Sequence, residues 1–159
     1  MSIELAVVLV FVVALVIIAI GSRKSTLEDL PWLSGEAVRL EEGPVTVTQG
    51  ARGRRPTRFV RCVVRVTDQR LIVAQKVMLS SKRALRVVVT LTDAESMAGE
   101  ASLDRGFLQV TVGRSLLLRQ LERGTAALEL PMRGGLLLVE QNLTIPVADL
   151  GAWREALTA

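Results

Sequence analysis

The densest concentration of chemistry-bearing side chains is Ala51-Arg52-Gly53-Arg54-Arg55-Pro56-Thr57-Arg58, with Arg61 just beyond. Each guanidinium carries a permanent charge and a planar fork of donors that matches the oxygens of phosphate and carboxylate. Gly53 and Pro56 mark the run as a loop, which displays its arginines instead of packing them. Such a loop attracts anions, and Arg52, Arg54, Arg55 and Arg58 are the expected contacts to anionic lipid. Lys76, Lys82, Arg83 and Arg86 form a looser basic group, expected to keep a sheet edge from pairing with another chain.

The remaining chemistry is sparse. The 159 residues include no His, no Tyr and one Cys, so no intramolecular disulfide can form and the usual His/Cys metal sites cannot be assembled. Cys62 stands in an apolar run beside Val60 and Val64, the setting of an inert core thiol. Enzymes built on Asp, Glu, Lys or Ser stay open, yet the commonest general acid/base and nucleophilic groups are missing. The expectation is therefore a non-enzymatic chain with no catalytic residues, cofactor or metal. Twenty bases face sixteen acids, a net charge of +4, and aromatics are 3% of the residues. With Phe59 and Phe107 as the phenylalanines beyond the N-terminal segment, stacking on bases has little to work with, and nucleic acid is not an expected partner.

The elements that carry these residues begin with an apolar run, Leu5 to Ile20, free of charge and polar groups. As a helix it rises roughly 24 Å, the short end of what spans a ~30 Å hydrocarbon layer. A cleavable signal would place bases before the run, whereas Glu4 precedes it and Arg23 and Lys24 follow. The expectation is a transmembrane anchor over residues 1–24, making the chain an integral, single-pass protein of the inner membrane. Arg23 and Lys24 would hold the C-terminal domain in the cytoplasm, with the N-terminus outside. Residues 25–35 read as a juxtamembrane linker punctuated by Pro31 and Gly35, in which Trp32 suits either the membrane interface or the edge of a core.

Residues 36–159 are dominated by alternation of apolar and polar side chains. Val60, Cys62, Val64 and Val66 line one face of an expected strand, with Arg61, Arg65 and Thr67 on the other, and Leu71 and Val73 resume after Asp68-Gln69 as a hairpin. Leu85, Val87, Val89 and Leu91 form another alternating set; further strands are expected over 45–49, 107–112, 126–130 and 136–145, while 94–106 reads as a long loop. Arg114 to Arg123 fits a helix as well as a strand. Val147, Leu150, Trp153 and Leu157 are spaced for a closing amphipathic helix, with Pro146 suited to its first turn and Trp153 to plugging the core. The pattern predicts a mainly β fold, a bent antiparallel barrel or sandwich of about seven strands capped by a C-terminal helix.

The hairpin Val64-Arg65-Val66-Thr67-Asp68-Gln69-Arg70-Leu71-Ile72-Val73 and the step Leu143-Thr144-Ile145-Pro146-Val147-Ala148-Asp149-Leu150 resemble bacterial PH-like and GRAM-type domains over roughly residues 36–158. The resemblance implies a seven-stranded bent barrel plugged by its helix, a module that binds lipids or proteins, with the arginine loop facing the membrane. The expected function is a membrane-anchored binding or scaffold module at the cytoplasmic face, contacting a protein partner or anionic lipid. The alternative is a structural accessory subunit of a larger membrane complex.

Overall fold

Val, Ile and Leu in period-two runs favour strands that bury one face, and such strands are stable once they close on one another. A computed structural model of the chain describes residues 3–21, 25–94, 99–104, 106–133 and 140–158. Among these residues the order is α1 (Ile3–Gly21), β1 (Val38–Ala51), β2 (Thr57–Thr67), β3 (Arg70–Lys76), β4 (Arg83–Thr92), β5 (Gly99–Asp104), β6 (Phe107–Gly113), α2 (Arg114–Glu122), β7 (Ala127–Arg133), β8 (Gln141–Pro146) and α3 (Leu150–Thr158). The strands form a closed barrel in the order β1-β2-β3-β4-β6-β5-β7-β8.

This corrects the expected all-antiparallel barrel of about seven strands with a single capping helix. The described residues hold eight strands, and β4 and β6, like β5 and β7, run parallel. The reason lies in residues 94–106, expected as a loop, which contain β5. β5 folds back on β6 as a hairpin, and it is β6 that lies beside β4, so the chain returns to β4 in the same direction. The sequence of β5, Gly-Glu-Ala-Ser-Leu-Asp, has too little apolar alternation to announce a strand. Closure depends on Gly99, where a Cβ would lie 2.7 Å from Val110 Cγ1 and 3.2 Å from the Pro131 carbonyl oxygen. The open choice over Arg114 to Arg123 resolves as helix α2, which buries Leu117 and Leu121 four residues apart on one face.

Alternation fails where strands bulge. Val60, expected beside Cys62 on the buried face, is 50% exposed, because Arg61 at φ +55 interrupts the strand and the β1–β2 register shifts between Val45 and Val47. In β4, a shift opposite Val73/Ala74 splits the expected single face. Val87, Val89 and Leu91 enter the barrel core, while Leu85 joins Ile72, Ala74, Val88 and Phe107 in an outer cluster roofed by Leu27 and Leu30. That roof is the first part of the 25–35 segment, where Thr26 bridges to Ala84 and the Leu27 N–H donates to the Arg83 carbonyl at 2.8 Å. The closing helix starts later than its spacing suggested: Pro146 ends β8, and Asp149 accepts from the Ala152 N–H at 3.1 Å to cap α3.

A buried ion pair locks the segment to the β2–β3 hairpin. Arg70 donates through Nε to Glu36 Oε1 at 2.8 Å and through Nη2 to Glu36 Oε2, and Thr67 donates to Glu36 Oε1 at 2.8 Å. The Glu36 side chain is fully covered, and Arg70 spends another donor on the Pro31 carbonyl at 3.0 Å.

The membrane expectations are corrected as well. Among the described residues no helix is long and apolar enough to cross a membrane. Helix α1 runs from Ile3 to Gly21, with Glu4 in its first turn. A transmembrane anchor over 1–24, an integral single-pass contact and the inner-membrane localisation are therefore not carried by the structure, and Arg23 and Lys24, which set the expected orientation, lie outside the described residues.

Burial pushes the Glu36 carboxyl up, but donors from Arg70, the Leu33 N–H and Thr67 outweigh it and hold the group below its ordinary value. Its stabilisation is thus fully present above about pH 4.5 and is lost as the pH falls through the lower folded value. Arg70→Ala, which strands the buried carboxylate, is expected to cost about 3–5 kcal/mol in denaturant unfolding. Glu36→Gln should flatten the acid limb of stability against pH; an unchanged acid limb would show that the pair is not coupled to folding.

Candidate functional site

The ends of the barrel differ. In the antiparallel meander β1-β2-β3-β4, the β1–β2 and β3–β4 turns fall at one end and the β2–β3 turn at the other. The β2–β3 end is closed by the helices: Arg114, at the start of α2, donates to the Leu157 carbonyl of α3 at 2.8 Å and to the Asp68 carbonyl. Leu117, Leu121, Trp153 and Leu157 are fully buried in the same core as the inward strand residues, so Trp153 is the plug that its spacing predicted. The Trp153 Nε1 has no hydrogen-bond partner among the described residues.

The arginine loop is the β1–β2 turn and projects from the opposite end. Gly53 at φ +78 makes the turn, and the Arg54 N–H donates to the Ala51 carbonyl at 3.1 Å. Arg52, Arg54, Arg55 and Arg58 are exposed, and none of their guanidinium groups has a hydrogen-bond or ion-pair partner among the described residues. Their charge is therefore unneutralised by the barrel itself.

The structure adds residues that the sequence did not single out. Arg52 and Arg54 line an open groove of about 1210 Å³ whose lining also includes Arg123 at the end of α2, Gln120, Gln141 and Asn142. Arg123 sat in the stretch whose secondary structure was open, and Gln141 and Asn142 carry no charge pattern, so no periodicity signal pointed to them. Arg133 borders the same groove but is paired with Glu140 at 3.0 Å. Arg55 and Arg58 do not line it.

The second basic group divides. Arg83 is held by Glu28 at 2.9 Å and lies 3.8 Å from Glu41, and Arg86 donates to Gln75 at 2.9 Å with its guanidinium 5.4 Å from the Phe59 ring centre. Lys82 is 3.7 Å from Asp29, both well exposed. Arg83 and Arg86 are thus built into the wall, while Lys76 and Lys82 flank the exposed β3–β4 turn. Trp32 is 58% exposed and stands 5.9 Å from the Arg65 guanidinium. Among the described residues no cluster of His, Cys, Asp and Glu is arranged to hold a metal ion. No family model, curated protein or solved structure matches this chain.

Cys62 is fully buried on the inner face, and burial pushes its thiol up to about 11. The reactive thiolate is therefore nearly absent at neutral pH. In the folded chain Cys62 should resist a thiol reagent at pH 8 and react quickly once denaturant is added; equal rates in both states would show that the inner face of β2 is open to solvent.

Proposed function

We propose that this chain is a non-enzymatic binding module that contacts an anionic lipid surface through Arg52, Arg54, Arg55 and Arg58. The observation that carries this reading is the arginine turn itself: four exposed guanidinium groups without an acidic partner among the described residues, at the barrel end opposite the closing helices. Groups already paired with carboxylates would have to break those pairs to meet a headgroup; these do not. Arg123, from a different element, lines the same groove as Arg52 and Arg54. Each base near an anionic surface contributes about 1 kcal/mol, so the effect is collective and falls with added salt.

The test is differential binding of the full chain to vesicles of phosphatidylcholine with and without phosphatidylglycerol. The combined variant R52E/R54E/R55E should lower affinity for the anionic vesicles roughly a hundredfold and leave binding to the uncharged ones unchanged. Equal affinity of the native chain for both vesicle types, or an unchanged preference in the variant, would remove the basis for this reading.

A further inference from the structure

The end that bears the arginine turn also bears the β3–β4 tip, where Val77, Met78 and Leu79 are 41%, 77% and 106% exposed. Three consecutive apolar side chains at this turn thus stay largely in water. Leu79 moreover adopts φ +63, a conformation that costs a residue with a Cβ about 1 kcal/mol and that turns usually assign to Gly or Asn. Folding alone gives no reason to hold a leucine outward in a strained turn.

The surroundings indicate what the tip meets. The tip itself lines an open groove of about 910 Å³ together with Pro44, Val63, Arg61 and Lys76. The exposed acids nearby are engaged, Glu28 with Arg83, Asp29 with Lys82, and Glu41 with Arg65, whereas Glu42, beside Gly43, keeps its Oε2 buried and without a hydrogen-bond partner among the described residues. Arg61 and Lys76 are exposed and have no acidic partner among the described residues, so the exposed unmatched charge around the apolar tip is positive. An apolar tip within a basic margin complements a layer whose outer zone is anionic and whose interior is hydrocarbon. Long basic side chains keep their charge at headgroup level while an adjoining apolar group goes deeper.

We propose that the Val77-Met78-Leu79 tip inserts into the acyl boundary of an anionic lipid surface, with Arg61 and Lys76 at the headgroups. This deepens the reading of the arginine turn and rests on it. The two turns share one end of the barrel, so one approach to a surface brings both into contact.

The experiment uses the full chain carrying Met78→Cys labelled with an environment-sensitive fluorophore; buried Cys62 is left unlabelled, and the unsubstituted chain is treated in parallel. Phosphatidylglycerol-containing vesicles should shift the emission to the blue and allow quenching by acyl-chain-borne quenchers. The same label at Glu122→Cys on α2 should stay in water. Leu79→Gly, which suits the positive φ and preserves the turn, should weaken binding to these vesicles about tenfold. If the label at 78 keeps its aqueous emission while vesicle binding still requires Arg52, Arg54 and Arg55, tip insertion is overturned and the arginine reading stands. If binding ignores both vesicle charge and the three arginines, the arginine reading fails and this inference with it. Equal insertion into uncharged vesicles overturns the role assigned to Arg61 and Lys76.

Discussion

The buried pair between Glu36 and Arg70 is the interaction on which the arrangement depends. Two charges leave water at a cost that their attraction repays only when geometry is good and the remaining donors and acceptors are satisfied. Here Thr67 and the Leu33 N–H complete the shell of the carboxylate, and the Pro31 carbonyl takes a further donor from Arg70. The next residue, Asp68, accepts from the Ala37 N–H at 2.9 Å through its side chain and from Arg114 through its carbonyl. One short turn therefore ties the segment before β1, the β2–β3 hairpin and the start of α2 to each other. The Thr67-Asp68-Gln69-Arg70 turn is explained by this network: Thr67 and Arg70 both donate to Glu36, while Asp68 accepts from Ala37 and Arg114.

Fastening these parts at one end leaves the other free. Where Arg114 joins α2 to α3 and Trp153 fills the interior, groups are spent on internal partners. At the opposite end, cations and apolar side chains are left without them. Arg83 and Arg86, midway between the two regimes, show that a basic residue close to the displayed turns is not thereby a contact: both are consumed by the wall. The distinction between a structural and an available cation is set by neighbours, not by residue type.

Much of the architecture was readable because burial imposes a period. The inward valines of β2 and β3, the helical spacing of Leu150, Trp153 and Leu157, and the loop character of Arg52 to Arg58 follow from alternation, turn chemistry and charge. Period failed where the chain departs from regularity. The bulge at Arg61 turned Val60 outward, the shift at Ala74 sent Leu85 to a second cluster, and β5 was short and polar enough to pass for a loop. The apolar run at the N-terminus announced a helix, and α1 is one, but among the described residues it does not amount to a membrane span.

What the sequence determined by itself was local: which segments alternate, which turns carry charge, and that His-based and disulfide chemistry is absent from the 159 residues. Tertiary structure decided which strands are neighbours, and so which side chains share an end. The parallel contact of β4 with β6, the groove lined by Arg52, Arg54 and Arg123, and the gathering of the arginine turn and the Val77-Met78-Leu79 tip at one end all join residues far apart in the chain. Pairing and closure are global choices, made by the whole set of buried faces competing for partners, and no single segment contains the information to make them.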